Sequence, residues 1–296
     1  MLKTKTLIIN LLICLLLFIA ACTNNKINNS QKLVDITFIT QDEKSDSISP
    51  AGIEELQIKS SGSTIYGFEY IANGRKLHPT VIFLHGLPGN ERNLDLAQNL
   101  RRAGYNVVFF NYRGSWGSEG TYSFENSIED VDAVISYITD SVYTERFKVD
   151  KSRIALVGHS MGAGIALING INNKKVKAIA GISVFNPFTL FQGKKAEGNL
   201  IGLKEYISTL GMLKTDPNIF LRNMLSKLND YNIENLVSKS QKPILIIDEQ
   251  KNNIYFDRYV EKPNFAYKIW DTDLAFTNRR IALSVELKTW LDTNLK

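Results

Sequence analysis

The chain has 296 residues, 44% of them hydrophobic, and a formal charge of +5 from 35 basic and 30 acidic side chains. That length and apolar content suffice for a single α/β domain with a sizeable core. The charge is slight and holds no run of five basic residues, which argues against a nucleic-acid groove.

Residues 1–21 read as a signal segment. Lys3 and Lys5 form a basic start, and Leu7 to Ile19 form an apolar stretch broken only by Asn10, too short for a spanning helix. Ile19-Ala20-Ala21-Cys22 then resembles the bacterial lipobox. That resemblance implies cleavage before Cys22, acylation of its thiol, and an extracytoplasmic protein held on the membrane by a lipid anchor. Thr23 at the next position, in place of aspartate, implies the outer membrane if the host envelope is Gram-negative. Losing Lys3 and Lys5 takes the formal charge from +5 to +3. Residues 22–51, rich in Asn, Ser, Lys and Asp with little apolar periodicity, are expected to be a flexible tether. Cys14 lies in the removed segment and Cys22 is acylated, so the remaining domain has no thiol for a disulfide, a nucleophile or a metal.

Residues 52–296 carry the domain. Strand-like runs at 53–59 and 64–70 flank Ser60-Ser61-Gly62-Ser63, and an apolar strand at 80–84 ends in His85-Gly86-Leu87-Pro88-Gly89. A helix is expected over 90–103, with Asn90 as its N-cap and Gly104 just past its end. A buried strand at 106–110 runs into a turn over 111–118, and Ile128, Val131, Val134, Ile135 and Ile138 set a helical spacing over 124–139. A strand at 153–157, a helix from Met161 and a strand at 176–184 follow. Residues 187–240 break this alternation with helix-like runs at 203–210 and 219–228, the expected place and size of a cap. Strands at 243–248 and 266–270 and a helix at 281–295 close the chain. Alternating strands and helices of this kind predict a mostly parallel sheet with helices on both faces.

The turn between the 153–157 strand and the following helix reads Gly158-His159-Ser160-Met161-Gly162. This G-x-S-x-G spacing lifts a serine hydroxyl onto a sharp strand-to-helix bend, flanked by glycines because a side chain would collide across the crossing. Met161 supplies a backbone N–H at the helix start, where donors lack acceptors and the dipole favours negative charge. Leu87, after the His-Gly pair, is placed to give a second. Donors aimed at a developing oxyanion are worth ~3 kcal/mol each.

His85-Gly86-Leu87-Pro88-Gly89, then Tyr112-Arg113-Gly114 with its Gly117-Ser118-Glu119-Gly120 tail, then the serine turn occur in the order that resembles the α/β-hydrolase superfamily. The wording LHGLPGN, NYRGSWGSEG and AFTNRRIAL is similar to bacterial serine hydrolases of the esterase and serine-peptidase type. The resemblance covers 52–296. It implies the α/β-hydrolase fold, with a mostly parallel eight-stranded sheet, helices on both faces and a small helical cap. It also implies Ser160 as nucleophile toward an ester, thioester or peptide, with an acid after the seventh strand and a histidine after the eighth.

The histidine is missing. Serine is a weak nucleophile until a base takes its proton, and all three histidines, His78, His85 and His159, precede Ser160. Asp271-Thr272-Asp273-Leu274-Ala275-Phe276 aligns with the family's Asp-His-Ala-Phe wording, so Leu274 stands in the histidine's place. The acid position falls on Asn252, with Asp248 or Glu249 as displaced carboxylates. His78 opens a strand whose far end carries the oxyanion loop, ~17–20 Å away. His159 should turn away from Ser160. His85, normally a buttress of the oxyanion loop, and Lys251 are the remaining substitutes for the base.

Loss of a triad histidine lowers turnover by ~10⁴–10⁶. Two readings follow: a serine hydrolase with weak or lost hydrolysis, or a non-catalytic relative that binds an apolar ligand or protein partner in the old pocket. Phe185, Phe188, Leu190 and Phe191 either line that pocket or form core beneath the cap. No cofactor is expected, since neither metal-ligand spacing nor a phosphate loop occurs.

Overall fold

The computed structural model describes residues 35–249 and 251–295, with Asn252 described in its backbone alone. The signal segment, Cys22 and tether residues up to 34 lie outside the described residues. The compact unit begins at Ile36, so residues 36–51 belong to the body and not to the flexible tether that their composition predicts. Helix α1 (Thr37–Thr40) buries Phe38, whose carbonyl accepts from Arg102 Nε at 2.7 Å, and Glu43 pairs with Arg101 at 2.6 Å. One buried ring, arginine contacts from Arg75, Arg101 and Arg102, and hydrogen bonds with Asn73 and Gly74 hold a stretch with no periodic apolar face.

In chain order the remaining elements begin with β1 (Gly52–Ser60), β2 (Ser63–Ile71), β3 (His78–Leu84), α2 (Leu94–Arg102), β4 (Asn106–Phe110), α3 (Phe124–Ile138) and α4 (Ser141–Phe147). Then come β5 (Val149–His159), α5 (Met161–Asn172), β6 (Val176–Ile182), α6 (Pro187–Leu190), α7 (Ala196–Ser208), α8 (Pro217–Ser226) and α9 (Ile233–Lys239). The chain closes with β7 (Ile244–Asp248), β8 (Phe265–Ile269) and α10 (Arg280–Asn294).

The eight strands form one sheet in the order β1-β2-β4-β3-β5-β6-β7-β8. β1 and β2 form an antiparallel hairpin, β2 runs antiparallel to β4, and every pairing from β4 to β8 is parallel. The inner strands are continuous apolar runs because both of their faces are covered. Ile82, Leu84, Val108 and Phe110 point to the face packed by α3 and α5. Val81, Phe83, Val107 and Phe109 point to the other, where α2 and α10 supply Leu96, Leu100, Leu283 and Leu287.

Two boundaries differ from the sequence expectation. α2 starts at Leu94, not near Asn90, because Asn93 is left-handed with φ 56° and its N–H is taken by the Glu91 carboxylate at 2.7 Å. β5 begins at Val149, through polar Asp150-Lys151-Ser152, because Val149 pairs with His78 at the start of β3. Between β6 and β7 the chain folds as the four helices α6 to α9. Among the described residues no helix is long and apolar enough to cross a membrane.

Candidate active site

Ser160 sits alone between β5 and α5, with φ 54° and ψ −118°. A non-glycine residue in this region costs ~1–3 kcal/mol and persists only where its surroundings over-determine it. They do so here. Ser160 N–H donates to the Ile182 carbonyl at 2.9 Å, and its own carbonyl accepts from Ala163 N, Gly164 N and Phe185 N at 3.0–3.2 Å. The turn is also sterically closed: a β-carbon on Gly162 would lie 2.1 Å from the Leu84 carbonyl oxygen. Across from it, Gly86 lies so near that a β-carbon there would stand 3.0 Å from Ser160 Cβ.

The loop after β3 is held from two sides. Trp116 Nε1 donates to the Pro88 carbonyl at 2.6 Å, and Tyr206 of α7 donates to the Leu87 carbonyl at 3.4 Å. The Arg92 guanidinium lies 4.5 Å from the Trp116 ring centroid and stiffens that support. The Tyr112-Arg113-Gly114 turn beneath is fastened by Asp130, which accepts from Arg113 Nε at 2.6 Å and from its backbone N–H at 2.7 Å. The second sequence motif thus acts by anchoring the first.

Leu87, Ser160, Met161 and Leu274 meet in one cleft of about 280 Å³, closed by Phe185 and by Leu203, Tyr206 and Phe220 from the cap. All but Ser160 and Tyr206 present apolar side chains. Among the described residues neither the Leu87 nor the Met161 N–H is committed to a backbone acceptor, which leaves both free for an oxyanion. Met161 is further fixed by Tyr122, whose hydroxyl donates to its sulfur at 3.4 Å.

Leu274 reaches this cleft because the β8–α10 loop is pinned on each side of it. His159 Nε2 donates to the Leu274 carbonyl at 2.8 Å, Arg280 Nη1 donates to the Ala275 carbonyl at 2.9 Å, and Phe276 is fully buried. The aliphatic side chain therefore stands where the eighth-strand loop meets Ser160.

None of the three histidines is hydrogen-bonded to Ser160 among the described residues. His78 holds the Gly104 carbonyl at 2.9 Å and the Gly74 carbonyl at 3.2 Å. His85 Nδ1 bonds the Gly86 carbonyl at 2.8 Å, its ring lies 4.5 Å from Tyr112, and burial pulls its pKa down to about 4. It buttresses the loop as a neutral imidazole. Burial likewise lowers the pKa of His159, whose ring faces the Leu274 loop as strand alternation predicts.

The family model described as alpha/beta hydrolase fold matches residues 79–198. The esterase Pf2001 of Pyrococcus furiosus superposes with a TM-score of 0.60 over 83% of this chain and 92% of that one, at 18% identity. DcsB, solved with a substrate analogue, superposes with a TM-score of 0.61 over 82% of this chain and 99% of its own, at 14% identity.

The chain has the α/β-hydrolase fold.

Curated relatives align over shorter stretches. The lysophosphatidylserine lipase ABHD12 of Danio rerio is 30% identical over 92 residues, 30% of this chain and 22% of that protein. The uncharacterized protein YfhR of Salmonella typhimurium is 35% identical over 89 residues, 30% of this chain and 29% of its own. The chain thus spans less than a third of either relative's length.

Within this α/β-hydrolase fold the acid side is occupied by structural bonds. Asp248 ends β7, buried, with Oδ1 accepting from Val184 N at 2.8 Å and Oδ2 from Asn253 Nδ2 at 3.0 Å. Burial pushes its pKa up to about 6. It tethers the strand ends of β6 and β7 and does not meet a histidine. The Asn252 side chain lies outside the described residues. Lys251 is exposed and is absent from the cleft lining.

Of the four apolar candidates at the sheet-to-cap junction, only Phe185 lines the cleft. Phe191 is buried core, Phe188 is half-buried away from the lining, and Leu190 borders a neighbouring hollow. Leu203, Tyr206 and Phe220 escaped the sequence reading. Phe220 stacks on Tyr122 at 5.9 Å with the rings 8° apart, a contact between elements almost a hundred residues apart. No metal-holding group of His, Cys, Asp and Glu occurs among the described residues.

Proposed function

We propose that this chain is a serine-hydrolase relative whose cleft accepts the apolar part of an acyl, thioester or peptide substrate, with hydrolysis weak or lost. One observation carries the reading: Leu274 lines the cleft beside Ser160 while each histidine is engaged elsewhere. Ser160 Oγ can approach a carbonyl carbon, and the Leu87 and Met161 N–H groups can take the developing negative charge. No imidazole receives the hydroxyl proton, so the step relies on water. An oxyanion site and binding alone sustain ~10³–10⁴ over the uncatalysed rate. The esterase name of the Pyrococcus neighbour and the lipase name of the zebrafish relative make carboxylic esters the first class to assay. Cys22 is proposed as the acylated residue that anchors the chain outside the cytoplasm.

The apolar lining favours a second reading, binding without turnover, in which Ser160→Ala leaves ligand affinity and phenotype unchanged. A fluorophosphonate probe separates the two. Wild-type protein is expected to label slowly or not at all, and the Leu274→His, Asn252→Asp pair to label at least ~10²-fold faster. Rapid labelling of Ser160 in the wild type would overturn the missing-base reading.

A further inference from the structure

Phe185 lines two cavities, the Ser160 cleft and a second hollow of about 600 Å³. The two share a wall, but the second is the more polar, with Val184 and Leu190 as its other apolar borders. The second is bordered by the neutral hydrogen-bonding side chains of Asn186, Thr189, Gln192, Asn199 and Asn253, and its only ionisable residues are Lys194 and Lys195. Among the described residues no carboxylate lines it. Neither lysine makes an ion pair among the described residues. The nearby carboxylate, Asp248, has one oxygen committed to Val184 N and the other to Asn253 Nδ2.

The polar wall is also built in advance. Asn186 Nδ2 donates to Tyr255 Oη at 2.7 Å, Tyr255 Oη donates to Asn253 Oδ1 at 2.8 Å, and Asn253 Nδ2 donates to the Val184 carbonyl at 2.9 Å. This chain fixes Asn186 and Asn253, the two buried amides of the lining, so little rotamer freedom is lost at that part of the wall on binding. Two unpaired cations beside a fixed polar wall favour an anion. An apolar cleft one side chain away favours a hydrocarbon chain.

We propose that the hollow is an anion subsite, and that the two cavities together take a single-chain amphiphile. Its tail lies in the Ser160 cleft and its phosphate or carboxylate head lies at Lys194 and Lys195. This rests on the reading of the Ser160 cleft as a binding site and names the ligand class for it. A scissile ester would sit between the two, near Phe185, within reach of Ser160.

Calorimetry with octyl phosphate, octyl glucoside and inorganic phosphate, each below micelle formation, tests this on residues 36–296, the compact unit of the chain. Octyl phosphate is expected to bind about tenfold tighter than octyl glucoside, the scale of two partly exposed ion pairs. Lys194→Gln with Lys195→Gln, both at exposed positions, should abolish that preference and leave octyl glucoside binding as it was. Equal affinity for the two amphiphiles in the wild type, or a preference that survives the double substitution, overturns the anion subsite and leaves the cleft reading standing. Inorganic phosphate binding as tightly as octyl phosphate shows a free-anion site and overturns the amphiphile. If neither amphiphile binds, the cleft reading falls as well.

Discussion

The turn at Ser160 and the loop at Leu274 face each other across one cleft, and both are tightly held. Four backbone hydrogen bonds and a glycine with no room for a β-carbon fix the first. A histidine, an arginine and a buried phenylalanine fix the second. On the proposed reading, only the first still carries the chemistry that its geometry serves. The turn depends on shape, which several residues enforce together. The loop's chemistry rests on a single side chain, and Leu274 there is 51% exposed, so the packing does not select the residue.

The largest effect that would break this comparison comes from the turn. Gly162→Ala drives a methyl to within 2.1 Å of the Leu84 carbonyl oxygen, which is backbone and cannot move away. A loss of ~3 kcal/mol or more is expected from such overpacking, read as a lower urea midpoint. A wild-type midpoint would mean that the turn has slack.

A smaller effect tests the loop. His159→Leu removes the bond to the Leu274 carbonyl, for an expected loss of ~1–2 kcal/mol at neutral pH. It should also alter the pH dependence. Burial holds the folded-state pKa of His159 below its ordinary 6.5, so the unfolded chain takes up more protons as pH falls through that value. Wild-type stability therefore declines on acidification below about pH 6.5, and the variant should decline less steeply between pH 7 and 5. Equal slopes would remove His159 from the account of the loop.

The smallest effect concerns strain at the nucleophile itself. Glycine tolerates φ 54°, ψ −118° and alanine does not. Ser160→Gly should exceed Ser160→Ala in stability by about 1 kcal/mol, the strain relieved less the entropy cost of glycine. Matching melting temperatures would show that the backbone there is relaxed.

The site was legible wherever the requirement is local. Gly158-His159-Ser160-Met161-Gly162 announces its bend because the bend needs those residue types in that order. Leu274, which the sequence singles out by its place before Ala275-Phe276, is part of the cleft lining with Ser160. The inner strands were legible as apolar runs covered on both faces. The start of β5 was not, since polar Asp150-Lys151-Ser152 becomes a strand only through pairing next to β3. Residues 36–51 misled for a related reason: Phe38 is one ring without a pattern, its carbonyl held by Arg102 of α2 and its ring facing Lys288 of α10.

By itself the sequence determined the layered architecture, the strained serine and the absence of any histidine after it, because these follow from residue type and order along the chain. Tertiary structure alone decided that Leu203, Tyr206 and Phe220 close the cleft, and that His159 props the loop opposite. It alone set Lys194 and Lys195 beside Phe185. Apart from the short loop that returns Lys194 and Lys195 to Phe185, those are distances between residues far apart in the chain, and packing of the whole core sets them, not local preference.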